Sequence, residues 1–224
     1  MKVRRLLAAL RAAAPLALAL LAPHAVATDG DALVRDLIRT HFTAQVRDIA
    51  LWIPSAALVA LSPDDSEANH QGVVKMLAGY QVFFIARQRR DAAGDMKATP
   101  FADPAGHAQL RLPDGRVLAA TPERDLPPHV LKFANACKPL FEQRASDFGK
   151  ALQVVVFKFA TPADEPRIDA TRSTALALLI DDTPMVWHLP LAGAGPSAVD
   201  PDSGEKFPGS YAFNPYTGVP LKRE

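Results

Sequence analysis

Apolar side chains recur at three- and four-residue steps through Leu33, Leu37, Ile38, Phe42, Val46 and Ile49, with Arg and Asp between them. This spacing predicts a helix over 29–50, started by Asp29 or Asp31 as cap. Pro54 interrupts "LWIPSAALVAL", so a break and a short second helix to about Leu61 follow. "SPDDSE" reads as a turn feeding a third helix from Ser66 to Leu77. From Tyr80 the texture changes. "YQVFFIAR" is aromatic and β-branched, which suits a strand, and "AQLRLPDGRVLAA" is a hairpin turning at Asp114-Gly115. The polar stretch between them, 88–107, reads as an exposed loop.

"DLPPHVLKFANACKPLFEQRASDFGK" starts a helix after a double proline and ends it at Gly149, with Pro139 expected to kink or split it. "LQVVVFKF" (152–159) is apolar at nearly every position, the pattern of a central strand covered on both faces. "TALALLI" and "MVWHLPL" form a last hairpin joined by residues 181–184. Helices and hairpin-linked strands in this order predict an α+β fold. Its sheet is largely antiparallel, of about six strands, with helices on one face and a short ribbon-like hairpin at the C-terminus. The expected organisation is a signal peptide over 1–27, an α+β domain over 28–192 and a tail over 193–224.

Composition changes this picture mainly at the N-terminus. Lys2, Arg4, Arg5 and Arg11 precede the apolar run 12–22, and Ala25-Val26-Ala27 follows as a small-x-small cleavage site. That order is a secretory signal peptide, so export to the periplasm or beyond is expected, with cleavage near Ala27. The apolar run is too short to span a bilayer, and no later segment is apolar and long enough to do so. Four of the 25 basic residues leave with the leader and none of the 24 acidic ones, which takes the balance to −3. A mildly acidic chain has no general attraction to nucleic acid. Cys137, the only cysteine, lies on the apolar stripe of its helix and reads as a buried, inert thiol that closes no disulfide within the chain.

Nucleophile elbows, phosphate loops, zinc-protease helices and dinucleotide fingerprints are absent from the sequence. Beyond the leader no two histidines are closer than 22 positions. His188 reads as a half-buried strand residue, and His41 as a residue of the first helix. Asp181 and Asp182 suit a hairpin tip better than a carboxylate pair, and Arg87, Arg89 and Arg90 suit a solvated strand end. The function expected from this is an exported, non-catalytic binding or assembly module for an unknown protein or small-molecule partner, with no cofactor. The alternative is a hydrolase-like enzyme assembling a site from dispersed residues such as His188, Asp181 and His129.

The chain closes on "DPDSGEKFPGSYAFNPYTG", which states one five-residue figure twice. Two residues separate Asp200 from Ser203, ten separate Ser203 from Asn214, and two separate Asn214 from Thr217. Pro201 and Pro215 follow the first member of each pair, Gly204 and Gly218 the second. With cysteine at the four polar positions this is the spacing of two Cys-x-x-Cys knuckles, so residues 200–221 resemble a zinc ribbon. The rest of the chain broadly resembles small exported bacterial proteins, a likeness that implies no residue roles. Asp, Ser, Asn and Thr are oxygen donors, whereas structural zinc takes thiolate or imidazole, so the resemblance implies the ribbon without its metal. Asp200 and Asn214 are expected to accept the N–H two residues on, Ser203 and Thr217 to add hydroxyl bonds, and Gly204 and Gly218 to complete the turns. Asp200, Asp202 and Glu205 with the Asn214 carbonyl offer an alternative oxygen set for calcium, although Ser203-Gly204 breaks the usual loop spacing.

Overall fold

The structure, a computed structural model, describes residues 33, 35–60, 66–142, 149, 151–160, 174–189, 191, 198–207 and 211–223. The leader, the caps at Asp29 and Asp31, the turn at 61–65 and the boundary at 192–193 lie outside the described residues. The fold is α+β, built on antiparallel sheets with a few helices. Among the described residues nine strands form two sheets, of five and four, where one sheet of about six was expected, and three more form the small sheet of the tail.

The largest departure is at the start. Residues 35–37 are helical, but the chain then forms β1 (Ile38–Phe42) and β2 (Val46–Ile53), paired antiparallel with Ile38 opposite Leu51. Thr43 Oγ1 accepts the Val46 N–H at 2.9 Å, and the Thr43 N–H donates to the Val46 carbonyl at 2.8 Å, which reverses the chain where a helix would continue. The apolar spacing fits a helix, but Ile38, Thr40, Val46, Ile49 and Ile53 are β-branched, and β2 gains an eight-residue pairing with β3. Phe42, counted as an apolar helix position, is 62% exposed.

Local signals hold from there. Pro54 precedes α1 (Ser55–Ala60), and Ser66 caps α2 (Glu67–Leu77) by accepting the Asn69 N–H. β3 (Tyr80–Arg90) is buried from Gln81 to Arg87 and occupies the centre of the five-stranded sheet. It runs past the expected strand end to pair with β4 (Met96–Ala98), so part of the presumed loop is a hairpin. Asp91 Oδ1 organises its turn by accepting the Ala93 and Asp95 N–H groups. β7 (Gln153–Lys158) is not central: it pairs with β3 alone and meets only a bridge at Thr121 on its other edge among the described residues.

β5 (Ala108–Arg111) and β6 (Val117–Ala119) form the expected hairpin, turned by Gly115 at φ +86°. With β8 (Thr174–Ile180) and β9 (Thr183–Leu189) they make the four-stranded sheet. Asp181 and Asp182 alone form the β8–β9 turn, at φ 47° and 65°, the left-handed pair that a two-residue hairpin demands. The two sheets meet through fully buried rings. Phe83 of β3 lies 5.5 Å from Trp187 of β9 and 5.6 Å from Phe157 of β7, and Trp52 of β2 stacks on Phe83 at 6.2 Å. Arg39 Nε ties β1 to β9 by donating to the Val186 carbonyl at 2.7 Å.

α3 (Pro128–Glu142) starts as the double proline requires and passes through Pro139 without ending there. Val130, Phe133, Ala134 and Cys137 are buried along it. Burial pushes the Cys137 thiol up to about 12, so it holds no thiolate near neutrality. No helix among the described residues is long and apolar enough to cross a membrane. The tail carries β10 (Ala198–Val199), β11 (Lys206–Phe207) and β12 (Lys222–Arg223), with β10 in the middle.

Candidate functional site

Arg87 is not a solvated strand end. It is 7% exposed, and the β2–β3 register sets it opposite Asp48, itself 3% exposed. Arg87 Nε and Nη2 donate to the two Asp48 oxygens at 2.6 and 2.7 Å, while Nη1 donates to Asp181 Oδ2 at 2.5 Å. The guanidinium carbon lies 4.6 Å from the Phe101 ring centroid. A planar fork with three donors engaged holds two carboxylates at once, which an ammonium does not do in this geometry. The Asp48 bond, foremost, raises the Arg87 pKa.

Asp181 is thus more than a turn residue. Its other oxygen meets His107 Nδ1 at 2.5 Å, and its N–H donates to the His107 carbonyl. Burial alone raises the Asp181 carboxyl, but the bonds from His107 and Arg87 outweigh it and hold the group below the usual carboxylate range. An ionised Asp181 only accepts, so His107 Nδ1 carries the proton and Nε2 is turned from the carboxylate. Both side chains are about two-fifths exposed. The ring meets Asp181 and Phe101, which fix its orientation, and among the described residues no nucleophile is bonded to it.

Beside this network lies a cleft of about 470 Å³. Three elements bring charge to it: Asp103 from the loop after Phe101, Glu123 from a 3-10 turn, and Lys138 from α3. Leu131, Ala134, Asn135 and Lys138 line it at three- and four-residue steps, a stripe of α3 beside the one facing the core. Gln153 at the start of β7 also lines it and grips Phe101, accepting its N–H at 2.7 Å and donating to its carbonyl at 2.8 Å. One loop therefore joins the cleft to the Arg87 cluster. A concave site of this size with a few convergent polar groups is what a small ligand requires.

The tail repeats its bonding as it repeats its sequence. Asp200 Oδ1 accepts the N–H groups of Asp202 and Ser203 at 2.8 and 3.0 Å, and Asn214 Oδ1 accepts those of Tyr216 and Thr217 at 2.8 and 3.3 Å. Gly204 and Gly218, at φ 72° and 74°, donate to the carbonyls of Asp200 and Asn214. Ser203 Oγ accepts from Glu205 N–H, and Thr217 Oγ1 accepts from Val219 N–H. The two knuckles join where Asn214 Nδ2 donates to Asp200 Oδ2 at 2.5 Å, with both residues buried. Asn214 first, then the Ser203 and Asp202 N–H groups, hold Asp200 below the usual carboxylate range.

No family model, curated protein or solved structure matches this chain.

Of the residues singled out from sequence, Asp200 and Asn214 are brought together and Ser203, Gly204, Thr217 and Gly218 complete their turns. Asp202 and Glu205 are exposed beside them, and the Asp200 oxygens and the Asn214 carbonyl are engaged by N–H donors. Among the described residues no three His, Cys, Asp or Glu side chains converge on a metal-sized site. His188 is exposed on β9 rather than half-buried, His41 lies on β1 rather than a helix, and His129 packs against Tyr80 from α3. Asp181 bonds neither His129 nor His188; its partners are Arg87 and His107, which sequence spacing did not connect. Asp103, Glu123, Asn135 and Lys138 carried no signal either, because a cleft formed by separate elements leaves no local pattern.

Proposed function

We propose that this is an exported, non-catalytic binding module whose ligand occupies the cleft between α3 and the loop after Phe101. The observation that carries this reading is the convergence of Asp103, Glu123 and Lys138, from three separate elements, on one cleft braced by Gln153. The basic, apolar, small-residue order of residues 1–27 supports export. The test uses chain recovered from the exported fraction, whose N-terminal sequence is expected to begin at Thr28. A thermal-shift screen of small metabolites and short peptides is expected to find a stabilising ligand. At a hundredfold excess over Kd the gain is about 2.7 kcal/mol. Asn135→Trp, an exposed change on α3, is expected to fill the cleft and abolish the shift without lowering the unliganded Tm. A ligand that stabilises both proteins equally would sink the cleft reading.

The tail is, on this reading, a ribbon that has lost its zinc. The Asn214–Asp200 bond joins the two knuckles in place of a metal, supported by their matching turn bonds. Four thiols in an oxidising compartment invite wrong cross-links, which hydrogen-bonding side chains avoid. Converting Asp200, Ser203, Asn214 and Thr217 together to cysteine is expected to restore one zinc per chain, read by elemental analysis of protein refolded under reducing conditions. A variant that folds yet retains no zinc would remove the ribbon reading.

A further inference from the structure

The cleft borders a strand edge. Phe159 N–H donates to the Gly79 carbonyl on the β3 side, whereas the Val156 carbonyl accepts the Thr121 N–H on the opposite side. Backbone groups alternate along an antiparallel strand, so Val154, two residues before Val156, turns its N–H and C=O away from β3. Val154 lines the cleft, and among the described residues no strand pairs with β7 there. An open strand edge is a template for a further strand, and here it lies beneath charges of both signs.

We propose that the cleft takes a short extended peptide, docked on the β7 edge by two backbone hydrogen bonds at Val154. The peptide carbonyl accepts the Val154 N–H, and a peptide N–H donates to the Val154 carbonyl. Lys138 meets a peptide carboxylate, and Asp103 and Glu123 meet an amino group, so the ligand carries both charges. Leu126 and Leu131 offer apolar contact to side chains between the charged ends. Thr121 already takes Val156, which limits the added strand to one bonded residue pair and favours short peptides over long ones. This inference rests on the cleft being the binding site.

The experiment exposes the full exported chain to a positional library of unblocked pentapeptides, then remakes the strongest binder with one backbone N-methyl at each position in turn. Methylation at a single position is expected to weaken binding about tenfold by deleting one buried hydrogen bond, with smaller effects elsewhere. Lys138→Gln is expected to weaken the free-carboxylate peptide but not its C-terminal amide. Equal tolerance of N-methylation at every position would overturn the proposal. A cleft that retains a non-peptide ligand but no pentapeptide would overturn it too, while leaving the binding-module reading intact. A chain that binds neither would end both.

Discussion

Arg87→Met is expected to destabilise the fold by about 3–5 kcal/mol, read by urea unfolding at pH 7. The reason is what it leaves behind. Asp48 is 3% exposed and loses both of its bonds to Arg87, so a carboxylate stays buried without a counter-ion. Asp181 loses one partner but keeps His107 and reaches water, and contributes less. The double variant Arg87→Met, Asp48→Leu is expected to recover much of the loss, because an apolar pair of similar volume replaces a buried ion pair at little cost. A loss below about 1 kcal/mol for Arg87→Met, the range of an exposed pair, would show that Asp48 is not left as an uncompensated buried carboxylate. The wild type should also weaken in acid. Asp181 ionises at lower pH when folded than its reference of about 3.9, so its stabilisation is present above that reference and is lost as pH falls through the folded value.

Asn214→Asp is expected to invert the pH response of the tail. In the wild type Asp200 is held below the usual carboxylate range by N–H donors, so its contribution is present at neutral pH and lost in acid. The variant sets a second carboxylate where Asn214 Nδ2 now donates at 2.5 Å. Two carboxylates that close do not both stay ionised, so the folded pair binds a proton more readily than the unfolded chain does. Its stability is then present in acid and lost as pH rises. Amide exchange at Asp202, Ser203, Tyr216 and Thr217 reads this directly. At pH 7 the variant is expected to exchange about tenfold faster than wild type or more, with protection returning below about pH 5. Asn214→Ala, which leaves one carboxylate and no donor, is expected to lose protection without that recovery. Similar exchange in Asn214→Asp and wild type at pH 7 would mean that the side-chain bond does not join the knuckles.

The helix start at Ser66, Gly115 in its turn and the acceptors at Asp200 and Asn214 each depend on contacts within five positions. Side-chain length and allowed φ decide such contacts, so they are written in the sequence locally. The closing Asn214–Asp200 bond reaches further, across 14 positions, and was not foreseen, because the sequence predicts only turn bonds within each knuckle.

The helix expected over 29–50 holds at residues 35–37 but gives way to strands from Ile38, because a 3.6-residue spacing was outweighed by β-branched residues, a threonine turn and an eight-residue pairing between β2 and β3. β4 was missed because three residues, Met96–Ala98, are too few to show a period of two. The site was less legible still. Arg87 finds Asp48 across 39 positions and Asp181 across 94, and the cleft draws on a loop, a 3-10 turn, a helix and a strand edge. By itself the sequence determined the class of fold, the turns and the bonding within each knuckle of the tail, because each follows from near neighbours or from composition. Tertiary structure alone decided which charges are buried together and where a ligand can enter, because those depend on long-range pairing that brings distant residues to one place.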